Sequence, residues 1–494
     1  MKGTESHPIP LPDNLLEPLY VASGTPNLSR ACECLIETAK TPVGRLDLAS
    51  RGILLSILEL CRYPQQLSRH DLILSLKLLR NLCAGEIINQ NSFIDKNGAE
   101  ILSTLVSSIG LISGSDDGLL PMVLQVLGNV TLAGEHQRLA VWRHFFPHKF
   151  LDIAKVQRKE TCDPLCMVIY VCTEGSNKRS LELFADAGQN IIVEILQTVT
   201  KAGFRQDWVK LLLSRICIEE PCFPSIFSKL SQAAEAVNAS ENASEVNIFG
   251  PEKEFLLRIL SEILNERVGD IVISGDFSLC IFEIFKSALG VVDFSKRGNS
   301  SIPTGSTDID VMGFTISILR DITACNKKIT KEDEKEDIVD KLVAAGIVKF
   351  LLDVLRGLEP PTTIQKAMKN SDDARNETTS RDYKYYCPYR GFRRDIVAVI
   401  GNCSYRKKHV QDEIRVQGGI LLLLQQCVTD EENPFLREWG IFSVRNILEG
   451  NIENQRLVAD LELQQSVDTP EIAGLGLQVE VDPTTRRPKL VNTS

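Results

Sequence analysis

Four asparagines recur at the same point of an apolar helical phrase, which makes their side-chain amides the first candidates for a shared chemical role. They are Asn81, Asn129, Asn402 and Asn446, in the phrases LKLLRNLCAG, LQVLGNVTLAG, VAVIGNCSY and SVRNILEG. A primary amide both donates and accepts hydrogen bonds, which is what the backbone of an extended peptide requires. Two interpretations follow: the amides line a peptide-binding groove, or they bridge neighbouring helices within the fold.

Two tryptophans have a fixed spacing to these positions. Trp439 lies seven residues before Asn446, and Trp208 has the same spacing to Arg215. Seven residues are about two helical turns, so each pair shares one helix face. Trp208 and Trp439 therefore join the candidate peptide groove, although the asparagine is absent from half of the units described below.

Positive charge is concentrated in residues 381–415, although the whole chain has a net charge of −10. The basic candidates for partner binding are Arg390, Arg393, Arg394, Arg406, Lys407 and Lys408. Five of the eight tyrosines lie in the same stretch, and arginine and tyrosine are enriched at interfaces. Such a patch attracts an acidic or phosphorylated partner, or the acidic body of a second copy. The alternative is a solvated rim with tyrosine rings packed against helix starts.

The asparagine phrase belongs to a longer unit that returns along the chain. The same apolar helix recurs with other residues at the marker position, namely Tyr170, Arg215, Ser261 and Asp321. Successive marker positions are 48, 41, 45, 46, 60, 81 and 44 residues apart, and five of these spacings fall in the HEAT and armadillo range. The pattern predicts an all-α fold, an armadillo/HEAT-type right-handed α-solenoid of about eight repeats, with the marker on the third helix of each repeat.

Glycines occupy a second recurring position in the repeats. Gly98, Gly188, Gly346 and Gly419 each precede an apolar helix. We predict that they follow a helix end with a positive φ, which glycine adopts without steric cost.

Composition divides the chain into segments. Residues 1–26 are an N-terminal segment, and 27–325 are armadillo-like repeats with loops near 231–247 and 293–310. Residues 326–385 hold repeat helices and a long disordered insertion at 359–382, 386–465 are the C-terminal repeats, and 466–494 are a C-terminal cap or tail. The three inserted segments are polar and poor in apolar residues, which predicts exposed, mobile loops.

Motifs of the common enzyme classes are absent from the sequence. There is no GxxxxGK[ST] phosphate loop, no GxSxG elbow and no HExxH pair, and the six histidines form no recognisable triad. We therefore expect no enzymatic activity, no cofactor and no metal site.

Charge, hydropathy and cysteine placement constrain the partners and the compartment. A net charge of −10 argues against a general nucleic-acid binder, and no run of 18 apolar residues predicts a membrane span. Cys83, Cys172, Cys217, Cys403 and Cys427 lie in apolar helical runs, as free thiols in a reducing compartment do. The expected location is the cytosol.

One segment carries a family resemblance. Residues 387–455 resemble the C-terminal domain of the ataxin-10 family through CPYRGFRRDIVAVIGN, RKKHVQD and NPFLREWGIFSVRNILEGNIENQ. The resemblance implies a non-enzymatic, cytoplasmic armadillo protein that acts as a self-associating scaffold in signalling and cytokinesis.

The sequence thus favours a protein–protein interaction scaffold. We expect it to bind other proteins through its concave face and C-terminal repeats, with homo-oligomerisation left open. The alternative is an importin-like transport adaptor that holds basic peptides in the asparagine and tryptophan groove. That function requires regular Trp–Asn pairs on consecutive repeats, which this chain does not have.

Overall fold

The computed structural model describes residues 13–108, 118–203, 207–238, 249–267, 269–325, 337–366, 385–461, 477–481 and 488–492. The chain divides between Phe277 and Ser278 into two compact units. Each unit is built from short helices whose apolar faces pack on neighbouring helices.

The first unit contains sixteen α-helices among the described residues. They are α1 (Asp13–Ser23), α2 (Leu28–Thr38), α3 (Pro42–Ser50), α4 (Ile53–Arg62), α5 (Arg69–Leu82), α6 (Ile87–Asp95), α7 (Gly98–Ser108), α8 (Leu119–Thr131), α9 (Glu135–Phe145), α10 (His148–Lys155), α11 (Lys159–Thr173), α12 (Asn177–Phe184), α13 (Asp186–Ala202), α14 (Asp207–Leu213), α15 (Phe223–Asn238) and α16 (Pro251–Arg267). A 3₁₀-helix (Pro64–Gln66) precedes α5, and a π-helix (Ser214–Glu219) continues α14.

The second unit begins within α17 (Gly275–Val291). It continues with α18 (Thr307–Ala324), α19 (Ile338–Ala344), α20 (Ile347–Gly357), α21 (Phe392–Ser404), α22 (Lys408–Val416), α23 (Gly419–Leu424), α24 (Leu436–Leu448) and α25 (Ile452–Ala459). Strands β1 (Leu477–Val481) and β2 (Pro488–Asn492) follow as an antiparallel pair, with Leu477 opposite Asn492. The predicted tail at 466–494 thus contains a β-hairpin, which its sequence pattern did not indicate.

The helices that carry the marker positions stack in order within each unit. In the first unit, α2 packs on α5, α5 on α8, α8 on α11, and α11 on α14. In the second unit, α18 packs on α21 and α21 on α24. This side-by-side stacking of equivalent helices confirms the predicted all-α, armadillo-type solenoid class. The stack begins with α2, which carries no marker residue and lies at the start of the predicted repeats at 27–325.

The glycine prediction holds at one position and is wrong at three. Gly346 has a φ of 86° as expected, whereas the positive φ values near the other sites belong to Asn97 and Gly418. Gly188 serves another purpose, because a Cβ there would lie 2.1 Å from the Leu183 carbonyl oxygen. Gly98 and Gly419 are likewise crowded by the preceding helix. These glycines permit close helix approach rather than a left-handed backbone.

The loop prediction for residues 293–310 is also wrong in part. The segment pairs with residues 386–390, since the Gly298 N–H donates to the Cys387 carbonyl (3.0 Å) and the Arg390 N–H donates to the Ser300 carbonyl (2.8 Å). Asp310 is buried and accepts hydrogen bonds from Thr304 and Gly305. Backbone pairing with a segment distant in sequence explains why composition misled here. Of the other two predicted loops, residues 239–247 and 367–382 lie outside the described residues, and the loop prediction is wrong for residues 231–238, which belong to α15.

Candidate protein-interaction surface

The marker asparagines join consecutive helices of the stack. Asn129 Nδ2 donates to the Arg80 carbonyl at 2.9 Å, and Asn446 Nδ2 donates to the Gly401 carbonyl at 3.0 Å. In both cases the acceptor carbonyl belongs to the residue directly before the marker asparagine of the preceding stacked helix. Asn402 Nδ2 repeats the contact with the Arg320 carbonyl (3.1 Å), and Asn81 Nδ2 contacts that of Ile36 (3.5 Å).

For Asn402 and Asn446, the peptide-groove prediction is therefore corrected in favour of its alternative, a bridge between helices. Asn446 is fully buried and Asn402 is nearly so, and both side-chain amides already donate to the neighbouring helix. Asn81 and Asn129 are half-buried and make the same kind of contact. These amides satisfy carbonyls between repeats, as buried polar groups must.

A second polar series, which sequence reasoning missed, caps the same helices. After five of the eight markers, the residue nine positions later donates to the carbonyl seven positions before itself. Gln90 Nε2 thus donates to Cys83 (3.0 Å), Gln411 Nε2 to Ser404 (3.4 Å) and Gln455 Nε2 to Leu448 (2.8 Å). Arg138 and Arg179 do the same through Nε. These bonds satisfy the open carbonyls of the last helical turn, and the constant offset of nine was a readable signal.

We expect the Asn446→Leu substitution to lower the free energy of unfolding of the second unit by about 2 kcal/mol. The Gly401 carbonyl would lose the Asn446 amide and keep only the Ser404 hydroxyl (2.9 Å) as a side-chain donor, and the bond between the two helices would be lost. Urea unfolding followed by circular dichroism measures this, with the exposed residue Arg445 changed to Ala as a control that stays within about 0.5 kcal/mol of the parent chain. An unchanged midpoint for Asn446→Leu would contradict the bridging role.

The two candidate tryptophans lie in different units. Trp208 is half-buried and packs on Tyr170, with ring centroids 5.8 Å apart, while the Arg215 guanidinium lies over the same tyrosine ring. Arg215 also donates to the Thr173 carbonyl (3.0 Å), so it takes over the bridging function of asparagine. Trp439 makes an edge contact with Phe442 at 5.5 Å.

The basic candidates separate into buried and exposed side chains. Arg393 is only 2% exposed, and its guanidinium donates to the Glu359 carbonyl and to Gln426 Oε1 (3.3 Å). Its predicted place on a partner-binding surface is therefore wrong. Lys407 is half-buried and pairs with Asp337 (2.5 Å) and Asp340 (2.8 Å).

The exposed basic residues are Arg390, Arg406 and Lys408, and Arg394 is half-buried. Arg390 and Arg394 line a pocket of about 370 Å³ on the second unit. Its other lining residues are Ser301, Ile302, Ser317, Arg320, Tyr389, Asp395 and Pro434. The loop at 293–310, helix α18 and the start of α21 thus meet at one surface.

The Asp395 carboxylate binds several of the hydrogen-bond donors that line the pocket. Its buried carboxylate accepts hydrogen bonds from Arg320 Nη1 (3.1 Å), Arg394 Nη2 (2.8 Å) and the Tyr389 hydroxyl (3.0 Å). Burial, together with the Asp395 carboxylate, raises the pKa of Tyr389 well above its ordinary value, so the phenol keeps its proton and donates. Burial would lower the pKa of Arg320, but Asp321 and Asp395 outweigh it and raise that pKa.

Arg320 was missed by sequence reasoning, although a signal existed. An arginine directly precedes the marker at Arg80–Asn81, Arg320–Asp321 and Arg445–Asn446. Arg80 Nη1 reaches Gln125 on the next stacked helix at 2.9 Å, as Arg320 reaches Asp395. The repeated bridge could have placed Arg320 against α21.

An exposed aromatic side chain adjoins the pocket. Phe435 follows the pocket residue Pro434, is 67% exposed and has a φ of 65°. A bulky side chain at positive φ is a backbone outlier, and such strain clusters at functional positions. Ile441, on the helix α24 that follows Phe435, is also exposed.

Thiols, metal ligands and membrane-spanning helices were also considered. The fourteen cysteines are free, and among those predicted to lie in helical cores Cys427 is half-buried while the others are buried. Within the described ranges, no group of three or more His, Cys, Asp or Glu residues could hold a metal ion. No helix in that part of the chain is long and apolar enough to cross a membrane.

The stacked helices and their bridging amides define a helical repeat protein of the armadillo type. Comparison with known proteins then shows which proteins the chain resembles. Residues 392–490 match the family model described as the spinocerebellar ataxia type 10 protein domain. Ataxin-10 of Bos taurus is 25% identical over 435 residues, covering 85% of this chain and 83% of its own, and the Homo sapiens protein is 24% identical over the same shares. These similarities agree with the resemblance to the ataxin-10 family that residues 387–455 predicted.

Two further comparisons complete the description. The ataxin-10 homolog of Dictyostelium discoideum is 40% identical over 92 residues, which is 19% of this chain and 15% of that protein. Among solved structures, a designed armadillo repeat protein in complex with the peptide (KR)4 aligns with 50% of this chain and 98% of its own, at 12% identity and a TM-score of 0.33.

Proposed function

We propose that this chain is a non-enzymatic protein–protein interaction scaffold of the ataxin-10 type, acting in the cytosol in cytokinesis or intracellular signalling. Its similarity to ataxin-10 proteins over 85% of its length supports the family part of this proposal. The helical repeat fold supports the binding part, because stacked repeats present extended surfaces to partners.

The observation that carries the proposal is Phe435. Its ring is 67% exposed within the segment that matches the family model, and its backbone is held in the left-handed region. Folding stability alone would favour asparagine or glycine there. Aromatic side chains commonly anchor protein interfaces, and Arg390 and Ile441 of the same unit are also exposed.

We expect the Phe435→Asn variant to lose captured proteins without losing stability, because asparagine tolerates positive φ better than phenylalanine. The full-length parent and variant are used as bait in cytosol, and captured proteins are quantified by mass spectrometry. Val43→Asn is the matched control, since Val43 is 79% exposed on α3 of the other unit. The proposal predicts that the control keeps the parent's partner set and that Phe435→Asn loses at least half of it. Equal capture by all three chains would contradict it.

Self-association is part of the same proposal. Light scattering of the parent and Phe435→Asn chains over a range of concentrations separates a partner of a different kind from a second copy. A mass that stays at the monomer value of 55.0 kDa at every concentration would remove self-association from the proposal.

A further inference from the structure

The pocket beside Phe435 has more positive charge than its own acids neutralise. Its lining contains Arg320, Arg390 and Arg394 against the single carboxylate of Asp395. Asp321 also pairs with Arg320, through Oδ1 at 3.1 Å. Three guanidinium groups and two carboxylates leave one positive charge in excess in a chain whose net charge is −10.

The arginines in the pocket have different roles. The Arg320 guanidinium donates hydrogen bonds to both Asp321 and Asp395, and it fixes the position of the Asp395 carboxylate. Arg394 donates from Nε and Nη2 to Asp395 Oδ1, at 3.0 and 2.8 Å. Gly391 makes room for this arrangement, because a Cβ there would lie 2.9 Å from Arg394 Nη2.

Arg390 is the pocket arginine whose terminal N–H donors are unused among the described residues. Its Nε contacts the Glu431 carbonyl at 3.3 Å, and its backbone N–H is bound to Ser300. Within the described part of the chain, its two terminal nitrogens have no acceptor. An exposed guanidinium with a tethered Nε presents its outer N–H groups in a fork, which is the geometry that binds a carboxylate or phosphate.

The rim of the pocket favours a peptide as the carrier of that anion. Ile302 and Pro434 line it beside the charged groups, and exposed Phe435 follows directly in sequence. The net charge of −10 opposes association with an extended polyanion such as nucleic acid or an anionic membrane. A peptide with a single acidic side chain is attracted by the local excess of positive charge. It lacks the many negative charges that the acidic chain as a whole would repel.

We propose that this pocket binds the carboxylate or phosphate group of an acidic side chain in a partner peptide, with Arg390 as the main ligand and Arg394 beside it. This inference rests on the proposed scaffold function for the identity of the carrier. It specifies the chemistry of the partner: an acidic or phosphorylated residue flanked by an apolar residue that contacts Phe435.

The test titrates the full-length chain with three synthetic octapeptides that differ only in a central Glu, phosphoserine or Gln. We expect the Glu or phosphoserine peptide to bind at least about tenfold more tightly than the Gln peptide, because a charge-assisted hydrogen bond is worth that much. The Arg390→Ala variant should abolish the difference. Arg445→Ala removes an equally exposed charge from α24 and should preserve it. Tighter binding of phosphoserine than of Glu would assign the site to phosphate, and the reverse to carboxylate.

Two results would overturn the inference. One is a preference for the charged peptides that survives Arg390→Ala. The other is binding to phosphatidylserine vesicles that depends on Arg390 while all three peptides fail, which would assign the surface to membranes. Failure of the scaffold proposal has a different signature, since equal protein capture by the parent and Phe435→Asn leaves the peptide titration unaffected.

Discussion

The Arg393→Glu variant is expected to unfold much of the second unit. Arg393 lies in the first turn of α21, is 2% exposed and donates its guanidinium N–H groups to the Glu359 carbonyl and to Gln426. A carboxylate in the same place meets a carbonyl oxygen instead of a donor. An unpaired buried charge costs about 3–5 kcal/mol, which is a large part of the stability of an ordinary domain.

Hydrogen exchange across residues 386–461 and the urea midpoint measure this effect. Arg406→Glu is the matched control, because Arg406 is exposed and the charge change is the same. It should stay within about 0.5 kcal/mol of the parent. Arg393→Met, which keeps most of the volume without the charge, should show an intermediate loss. A parent-like midpoint for Arg393→Glu would contradict the buried position. The prediction also matters for binding studies, because lost binding in Arg393→Glu would report unfolding rather than a missing contact.

The Gly401→Val variant is expected to separate the helices α21 and α24. A Cβ at Gly401 would lie 2.2 Å from Ser443 Oγ and 3.1 Å from Ser443 Cα. Ser443 is itself fixed, since its hydroxyl contacts the Val397 carbonyl at 3.0 Å. Branched carbons cannot be placed there unless the helices move apart, which also breaks the bond from Asn446 to the Gly401 carbonyl. Overpacking of this kind costs about 3 kcal/mol.

Thermal unfolding measures this loss, and a compensating change tests its cause. The Gly401→Ala variant should show a smaller loss, of which the Ser443→Gly change restores at least half by removing the nearest atoms. Gly290→Ala is the control, because no atom lies within 4 Å of a Cβ at that exposed helical glycine. It should be neutral or slightly stabilising. If Gly401→Val and Gly290→Ala have the same midpoint, close contact between α21 and α24 does not stabilise the unit.

The contrast between Arg393 and Arg390 shows how far sequence patterns could predict the surface. Both belong to one dense basic stretch, and composition treats them alike. In the structure Arg393 turns inward because Glu359, 34 residues earlier in the chain, offers a carbonyl that needs a donor. Arg390 precedes the helix and stays exposed. A contact between residues so distant in sequence leaves no periodic trace, so charge clustering could not separate the two.

The marker asparagines show the same limit of prediction from sequence patterns. Their recurrence correctly predicted a repeated contact, but an amide suits a peptide backbone and a helix carbonyl equally well. Only the positions of the Arg80, Arg320 and Gly401 carbonyls decide between the two. The offset of nine residues to Gln90, Gln411 and Gln455 would have pointed to capping, because capping depends on local chain geometry.

The sequence by itself determined the helical repeat class, the order of the marker helices and the resemblance to ataxin-10 proteins. These depend on apolar periodicity and on contiguous motifs, which are local properties of the chain. Only the tertiary structure decided which polar residues face solvent, that the loop at 293–310 packs on residues 386–390, and that Arg320 meets Arg390 and Arg394 around Asp395. Those features arise where segments distant in sequence supply each other's donors and acceptors, because a buried polar group is costly to leave without a partner.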